Sequence, residues 1–251
     1  MDRKIALITG ATSGIGRATA YEFAKHGIKL ILCGRRQERL NEIENDLKFK
    51  TQVITLNFDV CDKDATFEAL NSLPEDFKAI DILINNAGNA HGLDPIQNGN
   101  IDDWEAMLDS NVKGLLYVSK AIMPQMIERQ SGHIVNIGSV AGKEVYAKGN
   151  VYCASKQAVL AITEGMRIDL NPFGIKVSAI SPGLVETEFS KVRFKGDVIA
   201  DTVYKGYKAL QAEDIADVIY FMVSRPAHVN VADVLIFPTA QASATLVKKD
   251  L

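Results

Sequence analysis

The chain has 251 residues, of which 47 % are apolar, and a formal net charge of −3. This length fits one large α/β domain or two small ones, and a slightly acidic chain without a basic stripe argues against nucleic-acid binding. No apolar run reaches the about 20 residues of a membrane span, and the spacing of the three cysteines fits neither zinc nor a disulfide, which favours a reducing cytoplasm.

A glycine-rich turn follows the first predicted strand, residues 4–8, and a helical pattern then continues to Gly27. The turn reads Thr9-Gly10-Ala11-Thr12-Ser13-Gly14-Ile15-Gly16. Glycines allow a close approach of the backbone to a ligand, and a helix N-terminus offers free N–H groups and partial positive charge. The turn therefore predicts a cradle for a pyrophosphate. A tight connection without a ligand is the alternative interpretation.

The second predicted strand, residues 29–33, ends in Gly34-Arg35-Arg36. An NAD site usually has an acid about 20 residues beyond the glycines, where it binds the ribose 2′-hydroxyl. Here that turn contains two arginines and no acid, and arginine binds a phosphate through two parallel hydrogen bonds. The sequence therefore predicts NADP(H) as the cofactor. The alternative is that both arginines only begin a solvated helix over residues 37–47.

Polar and small residues follow the next two predicted strands, residues 52–58 and 80–84. Asp59 and Val60 come after the former, and Asn85-Asn86-Ala87-Gly88 after the latter. Ligands of open α/β sheets bind at such carboxyl ends, so Asp59 is predicted to accept from an adenine amino group. An N-cap of a helix over residues 63–73 is its alternative role, which Asp62 also fits. Residues 85–88 suit a backbone beside a nucleotide, or a plain turn.

A polar loop over residues 89–100 leads to a long helical pattern over residues 104–128, interrupted by Pro124. Asn111 lies inside this pattern, where an amide is mildly unfavourable. It is predicted either to point to solvent or to coordinate a water molecule. The fifth predicted strand, residues 133–138, directly precedes Ser139.

Tyr152 and Lys156 are four residues apart at the start of a predicted helix over residues 152–167, and therefore share one face. A lysine ammonium favours the phenolate and is expected to lower the tyrosine pKa from about 10 towards the operating pH. The Ser139 hydroxyl is expected to donate to an oxygen in front of the tyrosine. This combination predicts an alcohol/carbonyl site, and a half-buried ring beside an extended amine is the alternative.

The remaining pattern gives a sixth strand over residues 176–180, a helix over residues 212–223 and a final strand over residues 234–237. The charged segment between the sixth strand and this helix, residues 185–208, follows the carboxyl end of a strand and is predicted to be a lid over the site. Alternating strands and helices predict a doubly wound parallel sheet with helices on both faces. We expect one domain over residues 1–251.

In this order and spacing, the motifs resemble those of the classical short-chain dehydrogenase/reductase family over the whole chain. The resemblance rests on Thr9–Gly16, Asn85–Gly88, Asn111, Ser139, Tyr152, Lys156 and Pro182-Gly183. It implies a Rossmann-type domain and a catalytic tetrad of Asn111, Ser139, Tyr152 and Lys156. In such a tetrad Tyr152 transfers the proton, Lys156 stabilises the phenolate and holds the nicotinamide ribose, Ser139 orients the substrate oxygen, and Asn111 anchors a water.

We expect no metal, and the expected substrate contacts are Ser139, Tyr152 and Arg193. The expected cofactor contacts are Gly10, Thr12, Ser13, Gly14, Ile15, Gly16, Arg35, Arg36, Asp59, Val60, Asn86, Ala87, Gly88, Tyr152, Lys156, Pro182, Gly183, Val185 and Thr187.

Residues 34–40, 192–197 and 226–230 are similar to those of the NADP-dependent 3-hydroxy acid dehydrogenases within that family. The likeness implies a cytoplasmic homotetramer that oxidises serine, allo-threonine or related small 3-hydroxy acids, or reduces malonic semialdehyde, without nucleic-acid or membrane partners. Arg193 is favoured over Lys195 to bind the carboxylate, while a surface or intersubunit role is the alternative for both. Two rival functions remain, an NADPH-dependent reductase of neutral ketones and a non-catalytic NADPH-binding sensor.

Overall fold

The computed structural model describes residues 4–196 and 202–250, which contain nine strands and eight α-helices. The strands are β1 Ile5–Thr9, β2 Lys29–Gly34, β3 Val53–Asn57, β4 Ile82–Asn85, β5 Gly132–Ile137, β6 Ile175–Pro182, β7 Val185–Glu186, β8 Leu210–Gln211 and β9 Asp233–Ile236. The helices are α1 Gly14–Lys25, α2 Gln37–Leu47, α3 Lys63–Asn71, α4 Ile101–Leu108, α5 Leu115–Arg129, α6 Asn150–Leu170, α7 Phe189–Arg193 and α8 Ala212–Ser224.

Seven strands form one sheet in the order β3-β2-β1-β4-β5-β6-β9, and every pairing in it is parallel. The chain first moves outward from β1 to β3 and then returns to β4 on the other side of β1. Adjacent β1 and β4 therefore mark the switch point of a doubly wound sheet, where a crevice opens at the carboxyl ends of the strands. The predicted fold class is confirmed.

Side chains that alternate along each strand build a core on both faces of the sheet. In β1, Ala6 and Ile8 belong to the cluster that includes residues of α1, α2 and α8, whereas Ile5 and Leu7 belong to the cluster under α3, α5 and α6. Because both faces are covered, the sheet strands read as continuous apolar runs, as expected for a parallel sheet. Within the described residues, no helix combines the length and apolar character needed to cross a bilayer.

The long helical pattern near residue 111 differs from its prediction. It begins earlier, at Ile101, and a π-helical turn over Asp109–Gly114 joins α4 to α5. Pro124 lies inside α5 and does not interrupt it, because the buried side chains around it, Ile122 and Met126, keep that helix against the sheet. The π turn inserts one extra residue in the helical path, and Asn111 is consequently buried instead of solvent-facing.

The segment predicted as a lid has regular structure in its described part. It contains β7, which pairs in parallel with β8, and then the short helix α7. Residues 197–201 of the predicted lid lie outside the described residues. The predicted lid segment therefore leaves the sheet at the carboxyl end of β6.

Candidate active site

The glycine-rich turn between β1 and α1 has the geometry of a phosphate cradle. Gly14 has φ +50°, a conformation that other residues rarely adopt. A Cβ on Gly16 would lie 2.4 Å from Asn86 Nδ2 and 2.5 Å from the Gly10 carbonyl oxygen, so this approach also requires glycine. The side chain of Ser13, the N-cap of α1, makes no capping bond, which leaves the first N–H groups of the helix to a ligand. The turn fits a pyrophosphate.

Residues at the ends of β1 and β4 hold the two strands together at the switch point. The Thr9 hydroxyl accepts from the backbone N–H groups of Asn86 and Ala87, both at 3.0 Å. Asn86 Nδ2 donates to the carbonyl oxygens of Thr9 at 2.9 Å and Gly10 at 3.2 Å. The amide and small residues predicted to line the nucleotide therefore also fix the shape of the turn beneath it.

The two arginines after β2 lie in different environments. Arg36 donates to the Thr12 hydroxyl at 2.8 Å and the Ser13 hydroxyl at 2.8 Å, and therefore lies beside the glycine turn. Arg35 forms a salt bridge with Asp59 at 3.0 Å and has a side chain that is 69 % exposed. The structure thus places Arg36, more than Arg35, where a 2′-phosphate next to the turn would lie.

Asp59 lies at the carboxyl end of β3 as predicted, but it does not cap α3. Its carboxylate accepts from the Cys61 N–H at 3.0 Å in addition to its contact with Arg35. Asp62 is the N-cap of α3, and it accepts from the Ala65 N–H at 3.0 Å. Val60, predicted to contact the cofactor, is buried and faces Gly114 in the core.

The segment after β6 brings further predicted cofactor contacts to the same crevice. Thr187 lies over the glycine turn, since a Cβ on Gly14 would be 3.3 Å from its Cγ2. Pro182 ends β6, and the Gly183 N–H donates to the Ile236 carbonyl oxygen, in the neighbouring strand β9, at 2.8 Å. Val185 lies in β7 with its side chain in the core.

Tyr152, Lys156 and Ser139 come together at the carboxyl ends of β5 and β6. Tyr152 and Lys156 lie in the first turns of α6, with exposed fractions of 8 % and 6 %. Ser139 follows β5 after Gly138, and its hydroxyl accepts from the Ala141 N–H at 3.1 Å and acts on the Tyr152 phenol to lower its pKa. Lys156 Nζ donates to the Ile137 carbonyl oxygen at 2.9 Å, which ties the lysine to the same strand end.

Burial dominates the acid–base behaviour of this pair. It raises the pKa of the Tyr152 phenol, and the hydrogen bond with Ser139 opposes this only in part. Burial also lowers the pKa of Lys156, from 10.5 to about 8. The predicted lowering of the Tyr152 pKa is therefore wrong for the protein alone, because desolvation by burial outweighs the lowering by Ser139 and Arg193. The protonated phenol, the form that gives a proton to a carbonyl oxygen, is favoured.

The lowered pKa of Lys156 predicts how stability changes with pH. Between about pH 8 and 10.5 the unfolded chain holds more of this proton than the folded chain, so folding becomes more favourable as the pH rises. Relative to Lys156→Met, the wild type should gain up to about 3 kcal/mol of unfolding free energy across this window. Urea melts of both proteins from pH 7 to 10 measure the difference, in which other alkaline titrations cancel. A pH-independent difference would contradict the burial-induced shift.

Asn111 lies close to Lys156, and its side-chain amide is hydrogen-bonded to other groups of the protein. Nδ2 donates to the Asn89 carbonyl oxygen at 2.9 Å and to Ser155 Oγ at 3.0 Å, and Oδ1 accepts from the Asn89 N–H at 2.8 Å. A Cβ on Gly88 would lie 2.7 Å from Asn111 Oδ1 and 3.6 Å from Lys156 Nζ, so only a glycine separates the two side chains. The amide thus joins α6 to the loop after β4.

A narrow pocket that opens to solvent lies next to Tyr152. Arg193, at the end of α7, lines it, and its guanidinium carbon is 5.3 Å from the centre of the Tyr152 ring. Within the described residues this guanidinium donates to two neutral oxygens, Tyr146 Oη at 2.9 Å and the Gly92 carbonyl at 3.2 Å, and forms no ion pair. Lys195, the second candidate, is already paired with Asp103 at 3.0 Å. The pocket thus contains a guanidinium without a carboxylate partner among the described residues, together with the carboxylates of Asp94 and Asp103.

Several residues of the site have no signal in the sequence motifs. Tyr146 orients Arg193, Phe189 packs on the Tyr152 ring with centres 5.8 Å apart, and Ser155 supports Asn111. Glu188 and Arg39 meet beside Arg36. Of these, Ser155 and Arg39 lie beside motif residues, the former one residue before Lys156 and the latter within residues 34–40, and that proximity is the clue that the sequence offers.

Comparison with known proteins agrees with this geometry. A family model described as short chain dehydrogenase matches residues 4–197. An NADP-dependent 3-hydroxy acid dehydrogenase of Salmonella typhi is 45 % identical over 244 residues, which cover 96 % of this chain and 98 % of that protein. Sulfoacetaldehyde reductase 2 of Chromohalobacter salexigens is 46 % identical over 249 residues, which cover 98 % and 99 %.

Among solved structures, the closed form of a serine dehydrogenase complexed with NADP+ superimposes with a TM-score of 0.92. The two sequences are 43 % identical, and the match covers 98 % of this chain and 100 % of that chain. The similarity therefore extends over nearly the whole of both chains.

Proposed function

The chain belongs to the short-chain dehydrogenase family, and on this basis we propose that it is an NADP-dependent oxidoreductase that interconverts small 3-hydroxy acids and the corresponding 3-oxo acids. The observation that supports acid specificity is Arg193, whose guanidinium lies 5.3 Å from the centre of the Tyr152 ring and forms no ion pair with any described residue. A buried carboxylate needs such a partner, because an unpaired charge in a closed site is costly. A reductase of neutral ketones has no use for it.

The residues of this chain would share the chemistry as follows. Residues 10–16 would hold the pyrophosphate, and Arg36 the 2′-phosphate. When bound, NADP(H) supplies or accepts the hydride. The Tyr152 phenol gives a proton to the substrate oxygen in reduction and takes it back in oxidation. Ser139 donates to the same oxygen, and Lys156 stabilises the charge that Tyr152 acquires. We assign the tetrad roles to these residues, with Asn111 as their structural link to the loop after β4.

The names of the two curated relatives suggest a common substrate skeleton. A 3-oxo acid such as malonic semialdehyde has one methylene between its carbonyl and a carboxylate, and sulfoacetaldehyde has one methylene between its carbonyl and a sulfonate. Both substrates therefore have the same spacing between the carbonyl, which Tyr152 would contact, and the acid group, which Arg193 would bind. We therefore propose an aldehyde or ketone with an acid group one methylene away as the substrate class, and sulfonates as the second candidate.

Turnover with a matched panel tests this function. NADPH oxidation would be followed with malonic semialdehyde, sulfoacetaldehyde and a neutral aldehyde of the same size. We expect the acids to have a higher kcat/KM than the neutral aldehyde. A higher value for the neutral compound would favour the ketone-reductase alternative, and no turnover with any compound would favour the sensor.

Cofactor preference is a second measurable consequence. We expect NADP+ to bind more tightly than NAD+ by about 1.5–3 kcal/mol, the range for a hydrogen bond to a charged group. Arg36→Ala should remove most of this difference, because Arg36 lies beside the glycine turn. Arg35→Ala should remove less, since Arg35 is exposed and paired with Asp59. Calorimetric titration of the wild type and both variants with NADP+ and NAD+ measures the difference in binding free energy. Equal affinities in the wild type would refute the NADP assignment.

We also propose one domain, a homotetrameric assembly and a cytoplasmic location. The single seven-stranded sheet supports the first, with the lid over residues 185–208. Apolar side chains on α5 and α6 that remain partly or largely exposed, among them Leu116 and Ile168, support contacts between subunits. The unpaired thiols of Cys33, Cys61 and Cys153 support a reducing compartment. Light scattering after size-exclusion chromatography measures the assembly.

A further inference from the structure

A carboxylate of the lid occupies the arginines at the adenosine end of the site. Glu188, which directly precedes α7, accepts from Arg36 Nη1 at 3.0 Å. Arg39, one turn further along α2, donates its Nη1 to both oxygens of the same carboxylate, at 2.8 and 2.9 Å. Glu188 is therefore shared by two arginines that come from a part of the chain about 150 residues earlier.

The remaining donors of Arg36 point to neutral groups. Its Nε and Nη2 donate to the Thr12 and Ser13 hydroxyls. Hydroxyls can also donate to a phosphate and remain beside one, whereas a carboxylate repels it. The hydrogen bonds from Arg39 lower the pKa of Glu188, so the carboxylate is charged at neutral pH. A phosphate on Arg36 and Glu188 on Arg36 therefore exclude each other.

From these contacts we propose that Glu188 is an internal anion that competes with the 2′-phosphate of NADP(H) for Arg36 and Arg39. Arg39, which shares the carboxylate, then becomes a further ligand of the phosphate when Glu188 is displaced. The proposal rests on the NADP preference proposed above. It makes Glu188 a residue that sets cofactor affinity, since NAD(H) has no 2′-phosphate to displace it. The exchange takes place at the start of the helix that carries Arg193 to the substrate pocket.

Binding of nucleotide fragments tests the competition without catalysis. The probes are 2′,5′-ADP and 5′-AMP, which differ by the 2′-phosphate and lack the nicotinamide. We expect Glu188→Gln to bind 2′,5′-ADP about threefold to thirtyfold more tightly than the wild type, as for release from two partly exposed ion pairs. Its affinity for 5′-AMP should stay unchanged. A gain of affinity of this kind cannot result from misfolding.

Glu186→Gln is the matched control, because Glu186 is a lid carboxylate two residues away that accepts from Gln211 at 3.1 Å and contacts neither arginine. It removes the same charge and should leave both affinities within about twofold of the wild type, since screened charges at longer range matter little. If Glu186→Gln tightens 2′,5′-ADP binding as much as Glu188→Gln does, the gain results from the loss of any negative charge near the site. The proposed competition is then overturned.

Arg39→Met separates the two roles of Arg39. If Arg39 is a ligand of the phosphate, Arg39→Met should bind 2′,5′-ADP more weakly than the wild type does. Tighter binding would mean that it serves only to hold Glu188, and would overturn its place in the phosphate site. Unchanged or weaker binding by Glu188→Gln would overturn the competition. If the wild type itself binds 2′,5′-ADP no more tightly than 5′-AMP, the NADP assignment fails instead, and the two failures are thereby distinguished.

Discussion

Tyr152→Phe is expected to lower kcat for carbonyl reduction by about 10²–10⁴-fold, the range for loss of a general acid. The change removes only the phenolic oxygen, the atom that would exchange the proton with the substrate. The ring stays in its packing against Phe189. Cofactor affinity should be nearly unchanged, and the free energy of unfolding should change by no more than about 1.5 kcal/mol, the upper end for the net contribution of one hydrogen bond. Single-turnover oxidation of NADPH with malonic semialdehyde, together with an NADPH titration, measures both.

Tyr146→Phe supplies the control for this substitution. It deletes the same atom from the neighbouring tyrosine, whose hydroxyl accepts from Arg193 at 2.9 Å. Because that hydroxyl positions Arg193, its loss should raise KM for the acid more than it lowers kcat. If Tyr152→Phe cost less than about tenfold in kcat, or if the two variants behaved alike, Tyr152 would not be the proton donor.

The local parts of the fold follow directly from sequence patterns. The helix predicted over residues 37–47 is α2 at Gln37–Leu47, and the final strand predicted over residues 234–237 is β9 at Asp233–Ile236. In both, the hydrophobic period alone decides the structure, because each element buries one side against a sheet or helix next to it. The glycine turn was predictable for a similar reason, since its short motif combines a strand end with a helix start.

The parts that depend on distant contacts were not predictable from such patterns. The π turn at Asp109–Gly114 exists where Asn111 bonds to Ser155, a residue 44 positions later, and no local period encodes that contact. The same holds for Glu188, whose partner Arg36 is 152 positions away. The pKa of Tyr152 was predicted from its neighbour Lys156, whereas the depth of burial decides it. Spacing along a helix shows which groups are adjacent, but not how dry their surroundings are.

Arg193 is the residue for which the structure adds most to the sequence. The sequence offers two cations in the lid, Arg193 and Lys195, without distinguishing them. In the fold, the Arg193 guanidinium lies over the Tyr152 ring without a carboxylate partner among the described residues, whereas Lys195 is already paired with Asp103. Arg193→Ala is therefore expected to lower kcat/KM for a 3-hydroxy acid by about 2–5 kcal/mol of transition-state stabilisation, since the substrate carboxylate would be buried without its partner.

The neutral methyl ester of the same hydroxy acid distinguishes recognition of the carboxylate from support of the lid. Arg193 also donates to the Gly92 carbonyl, so its removal disturbs the lid for any substrate. That common loss appears with the ester, and only the excess loss with the acid measures the ion pair. Lys195→Ala should change both substrates little, because an exposed pair such as Lys195–Asp103 contributes at most about 1 kcal/mol. Arg193→Lys should recover part of the acid activity, since it keeps the charge without the paired hydrogen bonds. An equal loss on acid and ester would show that Arg193 shapes the lid and does not bind the carboxylate.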